Sequence, residues 1–317
     1  MSSPSISIII PLFNGEKYVI ESLQSIVDQT YRDWECLIIN DGSQDNSLNL
    51  VETFVSSSTF PEKFHIITTP NNGVSKARNL GLTKALGKFI AFLDCDDFWE
   101  SNKLETQIEF LRNNPSYVGC VTSFFIVKRN RAGKFIKKRL IIHRNIQNLT
   151  NGWKSLTGNG ALISSSLLMR NLPEIRFNEN LSTLADLEFF LRLSINKKIH
   201  LERRPLANYR LHASQMHSSS HKLLNDFKFL TQEGEFFGTG RTANATKGNV
   251  YTLASIYELA NKSFLGSGTF LLGSFRLSVF SPMRIVVAVV KKRLKGVFEL
   301  YCWRIQVQVM RRRNGKS

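Results

Sequence analysis

Three carboxylates occur within four residues at Asp94-Cys95-Asp96-Asp97, directly after an apolar stretch. Carboxylates this close repel one another, and a bound cation removes that cost. Their oxygens are hard ligands of the kind that Mg²⁺ and Mn²⁺ take in sites where these ions also bind substrate phosphates. The cluster therefore indicates a divalent-metal site, although an acidic turn in solvent has the same pattern.

Four other polar positions can do chemistry, each with an ordinary structural alternative. Asp41 follows an apolar stretch, where it can accept a hydrogen bond from a nucleobase or cap the next helix. Arg78 can face a phosphate through its planar guanidinium or be a surface cation. Asp186 opens an amphipathic stretch, a position that also suits the helix dipole. His212 follows a Tyr-Arg pair in a polar segment.

The elements that must position these residues alternate between strand-length apolar runs and helical periodicity. The predicted strands are 5–11, 36–40, 64–67 and 89–93, and the predicted helices are 16–29, 46–55 and 75–86. Asn14 is the expected cap of the first helix and Gly87 the expected stop of the third. This order predicts an α/β fold with a parallel sheet covered on both faces, whose ligands bind at the carboxyl ends of the strands.

The remainder of the chain is less regular. Residues 117–128 and 135–142 are predicted to pair as a hairpin, and 186–193 to form a helix. Residues 161–169 are an apolar run, and 222–317 have a helical pattern throughout.

Length and charge indicate two parts. A chain of 317 residues has room for about two domains, which we place at 1–220 and 221–317. The net charge is +17, and residues 241–317 carry 14 Lys and Arg against 2 Asp and Glu. A basic segment of this kind predicts a polyanionic neighbour, either nucleic acid or an anionic membrane surface.

Cysteine usage and the termini predict a cytoplasmic protein. The four cysteines lie far apart, without CxxC or histidine-paired spacing, which argues against a zinc module or a disulfide scaffold. We expect no secretory signal, and the longest uncharged run of the basic segment, 263–275, is too short to cross a bilayer.

Taken in order, the segments that carry these residues resemble the inverting family 2 glycosyltransferases over about residues 5–220. The segments are Pro11-Leu12-Phe13-Asn14, Gln29-Thr30-Tyr31, Asn40-Asp41-Gly42-Ser43, Asn72-Gly73-Val74-Ser75-Lys76-Ala77-Arg78-Asn79, Phe92-Leu93-Asp94-Cys95-Asp96-Asp97 and Asp186-Leu187-Glu188-Phe189-Phe190. The resemblance implies a GT-A fold, which is a Rossmann-like, mostly parallel sheet flanked by helices, here with a C-terminal helical extension. It also implies a nucleotide-sugar donor, taken as a UDP-sugar, and Mn²⁺ or Mg²⁺.

The resemblance also implies roles on the donor side. Pro11, Phe13 and Asn14 would line the nucleobase and ribose pocket, with Phe13 where the family usually has Tyr. Asp41 would accept a hydrogen bond from N3 of uracil, and Arg78 would sit near the diphosphate.

The acidic turn and two later residues complete the implied site. Asp94 and its neighbour Cys95 would contact the nucleotide sugar, with Asp94 on the ribose. Asp96 would hold the metal, supported by Asp97 and His212.

Asp186 would be the catalytic base, and Ala185 stands before it where the family commonly has Glu.

The leading hypothesis is therefore a metal-dependent inverting glycosyltransferase that acts on a saccharide or lipid-linked acceptor in cell-surface polysaccharide or glycolipid synthesis. A nucleotidyltransferase is an alternative, but the chain lacks a glycine-rich, lysine-bearing triphosphate loop. A basic nucleic-acid-binding protein without catalysis is another, but no known module is visible and the acidic turn is left unexplained, which makes nucleic acid a poor candidate partner.

The basic segment has two readings of its own. Apolar residues at 285–290 and 298–307 alternate with cationic clusters and include Tyr301 and Trp303, as in helices that lie on an anionic bilayer. This pattern predicts peripheral attachment to the inner face of the plasma membrane. Helices packed on the catalytic domain with a solvated basic face are the alternative.

Overall fold

The computed structural model describes residues 3–129, 135–141, 148–150, 162–195 and 197–212, with three further positions at 225, 226 and 229. Contacts divide the chain into two units, Met1–Ser218 and Ser219–Ser317, and almost all of the described residues belong to the first. The predicted helices beyond residue 222 lie outside the described residues, apart from those three positions. Within the described ranges, no helix has the length and apolar character needed to cross a bilayer.

Strands and helices alternate through the first hundred residues, as predicted. In chain order they are β1 (Ile6–Leu12), α1 (Val19–Val27), β2 (Trp34–Asp41), α2 (Ser47–Ser57), β3 (Phe64–Thr69), α3 (Val74–Lys84) and β4 (Phe89–Phe92). Every residue of β1, β2 and β4 is buried, because helices cover both faces of the sheet.

The second half contains shorter and longer strands around two helices. Its elements are β5 (Phe98–Trp99), α4 (Lys103–Asn113), β6 (Tyr117–Arg129), β7 (Phe135–Ile141), β8 (Asn148–Thr150), a 3-10 turn (Ser164–Ser166), β9 (Leu167–Arg170), α5 (Ala185–Leu193) and β10 (Lys198–Arg210). The predicted hairpin is confirmed, since β6 and β7 pair antiparallel.

One sheet joins the two halves in the order β3-β2-β1-β4-β9-β6-β10-β5. Strands β1 to β4 are parallel, so the loops that follow them meet at one edge. The second part is mixed, because β9 runs antiparallel to both β4 and β6, whereas β10 runs parallel to β6. This α/β sheet confirms the predicted fold class. Among the described residues, its antiparallel pairs involve β9 and the short or edge strands β5, β7 and β8.

Two local expectations were wrong. Helix α1 begins at Val19 with Tyr18 at its cap, and Asn14 instead lies in the preceding loop with a positive φ of 50°. Helix α3 ends at Lys84, before Gly87. Gly87 is required for another reason, since a Cβ there would lie 2.5 Å from the backbone nitrogen of Ser7 in β1.

An aromatic stack beneath the sheet edge fixes the direction of α5. Phe189 stacks on Phe177 at 4.1 Å between ring centroids and meets Phe92 of β4 edge-on at 5.9 Å. Both Phe189 and Phe190 are buried, so the first turn of α5 is held against the carboxyl end of β4. Asp186 lies in that first turn.

Candidate active site

The loops after β2 and β3 meet at Asp41. One oxygen of its buried carboxylate accepts the backbone N–H of Asn72 and the other accepts that of Gly73, each at 2.8 Å. Gly73 has a φ of 95°, and Gly42 has a φ of 70° with no room for a Cβ, which would lie 2.8 Å from the Asn71 nitrogen. These two glycines let the loops pass close enough for Asp41 to bind both N–H groups.

The loop after β1 lies beside the same region. Asn14 donates its backbone N–H to Ser43 and accepts from the backbone N–H of Gln44 through its side-chain oxygen. Pro11 is buried near the end of β1, whereas Phe13, just past the strand, is 43% exposed, as a ring that stacks on a ligand must be.

Cys95 connects this loop with the acidic turn. A Cβ on Gly15 would lie 2.9 Å from the Cys95 sulfur, so the two loops pack in direct contact. Burial, with the neighbouring Asp96 carboxylate, raises the pKa of the Cys95 thiol well above its usual range, which leaves it an uncharged packing group.

The acidic turn is closed and tied to its surroundings. Asp94, Asp96 and Asp97 each present an oxygen within 4.8 Å of the others. Asp97 accepts the Ser165 hydroxyl at 2.7 Å and the backbone N–H of Arg210 at 3.0 Å.

The end of β10 closes the other side of the turn. Arg210 donates to the backbone oxygen of Asp96 at 2.6 Å and to the Glu21 carboxylate of α1 at 2.8 Å. His212 places Nε2 at 2.7 Å from an Asp96 oxygen, and its ring lies 4.6 Å from that of Tyr18. Ser165, Arg210 and His212 therefore contact the turn directly, and Glu21 and Tyr18 hold Arg210 and His212 in place.

Arg78 connects the acidic turn with α5. The buried guanidinium donates to Asp94 at 2.6 Å and to Asp186 at 2.7 Å, and it lies 4.9 Å from the ring centroid of Phe177. Burial opposes its charge, but the Asp186 and Asp94 carboxylates outweigh that effect and raise the pKa of Arg78 above its usual range. The predicted place of Arg78 beside a diphosphate stays a prediction, since carboxylates engage both of its terminal nitrogens.

Burial and mutual repulsion act on the carboxylates of the turn. Burial raises the pKa of Asp94, and Asp186 and Asp96 add to the effect while Arg78 opposes it. Burial likewise raises the pKa of Asp97 well above its usual range, with Asp96 and Asp94 adding to it. A nearby cation would reverse both shifts, so the donor set of clustered carboxylate oxygens beside an imidazole fits Mg²⁺ or Mn²⁺.

The contacts of Ser164, Ser165 and Arg210 with this cluster were not anticipated from the sequence. The two serines have no charge, and Ser164 lies 70 residues from Asp94 and Ser165 68 residues from Asp97 in the chain. The run of three serines before β9 is the one signal that could have drawn attention to them.

Residues 7–171, a little over half of the chain, match the model of glycosyl transferase family 2. A protein of Haemophilus influenzae described as an uncharacterized glycosyltransferase is 40% identical over 114 residues, which is 36% of this chain and 45% of that protein. The Escherichia coli UDP-Glc:alpha-D-GlcNAc-diphosphoundecaprenol beta-1,3-glucosyltransferase WfgD is 38% identical over 144 residues, or 44% of this chain and 54% of WfgD.

These matches span about half the length of the two curated relatives. Among solved structures, S. aureus TarS 1-349 in complex with UDP-GlcNAc has a TM-score of 0.57 at 17% identity, covering 87% of this chain and 93% of TarS 1-349. That likeness concerns the fold, which is GT-A. The chain is therefore a member of glycosyl transferase family 2.

Proposed function

We propose that the chain is a metal-dependent, inverting glycosyltransferase that moves a sugar from a UDP-sugar to a hydroxyl of a saccharide or lipid-linked acceptor. The observation that carries this proposal is the ion pair of one guanidinium, Arg78, with both Asp94 and Asp186. Arg78 therefore lies between Asp94, in the acidic turn on the donor side, and Asp186, at the start of α5. A transferase needs a donor and a base placed in this way, at one sheet edge.

The donor side follows from the loops after β1 to β4. Phe13 offers a half-exposed ring for the nucleobase, and Asp41, the last residue of β2, binds two backbone N–H groups of the loop after β3. Asp94 and Cys95 would contact the nucleotide sugar. UDP-GlcNAc in the TarS structure and UDP-Glc in the name of WfgD support a UDP-sugar as donor.

Asp96, Asp97 and His212 would hold the metal, which when bound neutralises the charge on the departing diphosphate. Asp186 would accept the proton of the acceptor hydroxyl, because a carboxylate positioned on the nucleophile strengthens it. Attack from the face opposite the leaving group inverts the anomeric centre in a single displacement, and the anomeric configuration of the product, read by NMR, tests this step.

The acceptor and the location of the enzyme form one proposal. The WfgD name describes a diphosphoundecaprenol-linked substrate, which supports a lipid-linked or saccharide acceptor in cell-surface polysaccharide or glycolipid synthesis. We place the catalytic domain at 1–220 and the basic extension at 221–317, peripheral on the inner face of the plasma membrane. Sedimentation of the full chain with anionic vesicles at low salt, lost at high salt, is the expected result.

A donor screen tests the proposed function. The purified full chain is incubated with Mn²⁺ or Mg²⁺ and a panel of UDP-, GDP- and CDP-sugars, with Asp186→Asn as the matched variant. We expect UDP release with at least one UDP-sugar, stimulated by a saccharide or lipid-linked acceptor. Release of pyrophosphate from a nucleoside triphosphate instead would make the chain a nucleotidyltransferase, and nucleic-acid retention without UDP affinity would make it a binding protein.

A further inference from the structure

The 3-10 turn before β9 lies against both sides of the candidate site through Ser164. This residue is 1% exposed. Its backbone N–H donates to one oxygen of Asp186 at 3.1 Å, and its hydroxyl accepts from Arg78 at 2.9 Å. The hydroxyl also makes a longer contact of 3.4 Å to an oxygen of Asp94.

These contacts close a ring of four residues. Arg78 binds Oδ1 of Asp94 and Oδ1 of Asp186, and Ser164 binds Oδ2 of each. The fifth contact, from Arg78 to the Ser164 hydroxyl, crosses the ring. Each carboxylate therefore has one oxygen on the cation and the other on Ser164.

The second contact on each carboxylate restricts its rotation, which the ion pair alone does not. A carboxylate bound through one oxygen can still rotate about that contact. A partner on the other oxygen fixes the plane of the group, and hydrogen bonds that involve an ionised partner are the stronger ones. Because Ser164 serves both carboxylates, it sets their orientations relative to each other as well as to Arg78.

We propose that Ser164 is a positioning residue that sets the orientation of Asp186 relative to the donor-side carboxylate Asp94. The inference rests on the proposed function, in which Asp186 takes the proton of the acceptor and Asp94 contacts the donor. The residue-specific part is the hydroxyl, since any residue supplies the backbone N–H to Asp186. Loss of the hydroxyl frees one side of the Arg78 guanidinium and of Asp94, and the base then samples orientations that do not face the acceptor.

Three variants of the full chain isolate the hydroxyl. Ser164→Ala removes it, Ser164→Thr keeps it, and Ser166→Ala is the matched control. Ser166 lies in the same buried turn, but its hydroxyl donates to the backbone of Ile163 and not to the ring. Steady-state kinetics give kcat and the donor KM, calorimetry gives UDP affinity, and thermal melting reports the fold.

We expect Ser164→Ala to lower kcat by roughly tenfold, as loss of a hydrogen bond to a charged group does, with donor KM and UDP affinity changed much less than kcat. Ser164→Thr should restore kcat, and Ser166→Ala should leave it near wild type. In an Asp186→Asn background, Ser164→Ala should lower the residual turnover little further, because the base that it positions is already gone. This last comparison keeps the test decisive if the added methyl of Ser164→Thr disturbs packing.

Equal kcat values for Ser164→Ala and Ser166→Ala would overturn the inference while leaving the proposed function intact. A full additional loss in the Asp186→Asn background would also overturn it, because a merely structural residue acts on any turnover. A wild-type chain that releases UDP from no UDP-sugar would instead contradict the proposed function, and this inference with it.

Discussion

His212 lies at 2.7 Å from Asp96, measured from its ring Nε2 to a carboxylate oxygen, although 116 residues separate them in the chain. Strand β10 makes this contact possible, because it runs beside β6 and ends at Arg210 next to the acidic turn. The histidine is therefore in place either to bind a metal beside Asp96 or to orient that carboxylate.

The first prediction compares the effects of removing Asp96 and of removing His212 on metal-dependent UDP binding. Mn²⁺ should strengthen UDP binding to the wild-type chain, and Asp96→Ala should abolish that gain. His212→Ala should weaken it by about 10-fold to 100-fold, the usual cost of losing a residue that supports a metal ligand. Calorimetry of UDP with and without Mn²⁺ measures both.

His65→Ala is the matched control, since His65 is half-exposed on β3 and should leave the metal effect unchanged. An unaltered Mn²⁺ gain in Asp96→Ala would remove the acidic turn from the proposed metal site.

The second prediction concerns the nucleobase and Asp41. Uracil has a proton on N3 that a carboxylate can accept, whereas cytosine has only an acceptor there. With CDP, N3 of cytosine would face the carboxylate without a hydrogen-bond donor. An unmatched buried polar group costs about 1–3 kcal/mol, so UDP should bind roughly 5-fold to 150-fold more tightly than CDP. Titration calorimetry of both nucleotides checks this ratio, and equal affinities would show that Asp41 does not read the base.

The third prediction concerns Lys103, the first residue of α4. The side chain is fully buried, with Nζ at 2.8 Å from the Gln107 side-chain oxygen and 4.1 Å from the centroid of the Trp99 ring. Burial lowers the pKa of Lys103 to about 7. In the unfolded chain its pKa is about 10.4, so between these values the unfolded chain holds a proton that the folded chain has lost.

The free energy of unfolding should therefore rise with pH across this window in the wild type relative to Lys103→Met. The expected gain from pH 7 to pH 9 is about 1–3 kcal/mol, since each pKa unit is worth about 1.4 kcal/mol. Urea unfolding of both proteins at the two pH values measures it. Parallel changes in the two proteins would mean that Lys103 keeps its proton when folded.

The parallel half of the fold could be predicted because its strands are buried on both faces and therefore have continuous apolar sequences. The run Ile6-Ser7-Ile8-Ile9-Ile10 is such a strand, and β2 and β4, which pair with it, can be recognised by their apolar runs in the same way. The carboxyl ends of these strands then brought Asp41 and Asp94 to one edge, as expected.

Strand β10 could not be predicted in the same way. Its 13 residues include Lys198, Arg203, Arg204 and Pro205, and its pairing shifts register around Pro205, so neither alternation nor an apolar run is visible. The loop role of Asn14 and the close approach at Gly87 depend on tertiary contacts, which no local pattern contains. The ring of Arg78, Asp94, Ser164 and Asp186 escaped prediction for the same reason, because its members meet only through the folded sheet.

The most direct test of the proposed function is the comparison of wild type with Asp186→Asn in both turnover and UDP affinity. The amide keeps the shape of the carboxylate but cannot accept a proton, so acceptor-dependent UDP release should fall by at least roughly 100-fold. UDP affinity should stay near wild type, as it should in Asp28→Asn, which alters an exposed carboxylate at the end of α1 and should leave turnover unchanged. A loss of UDP affinity as large as the loss of turnover would make Asp186 a donor ligand, and turnover near wild type would contradict its role as the base.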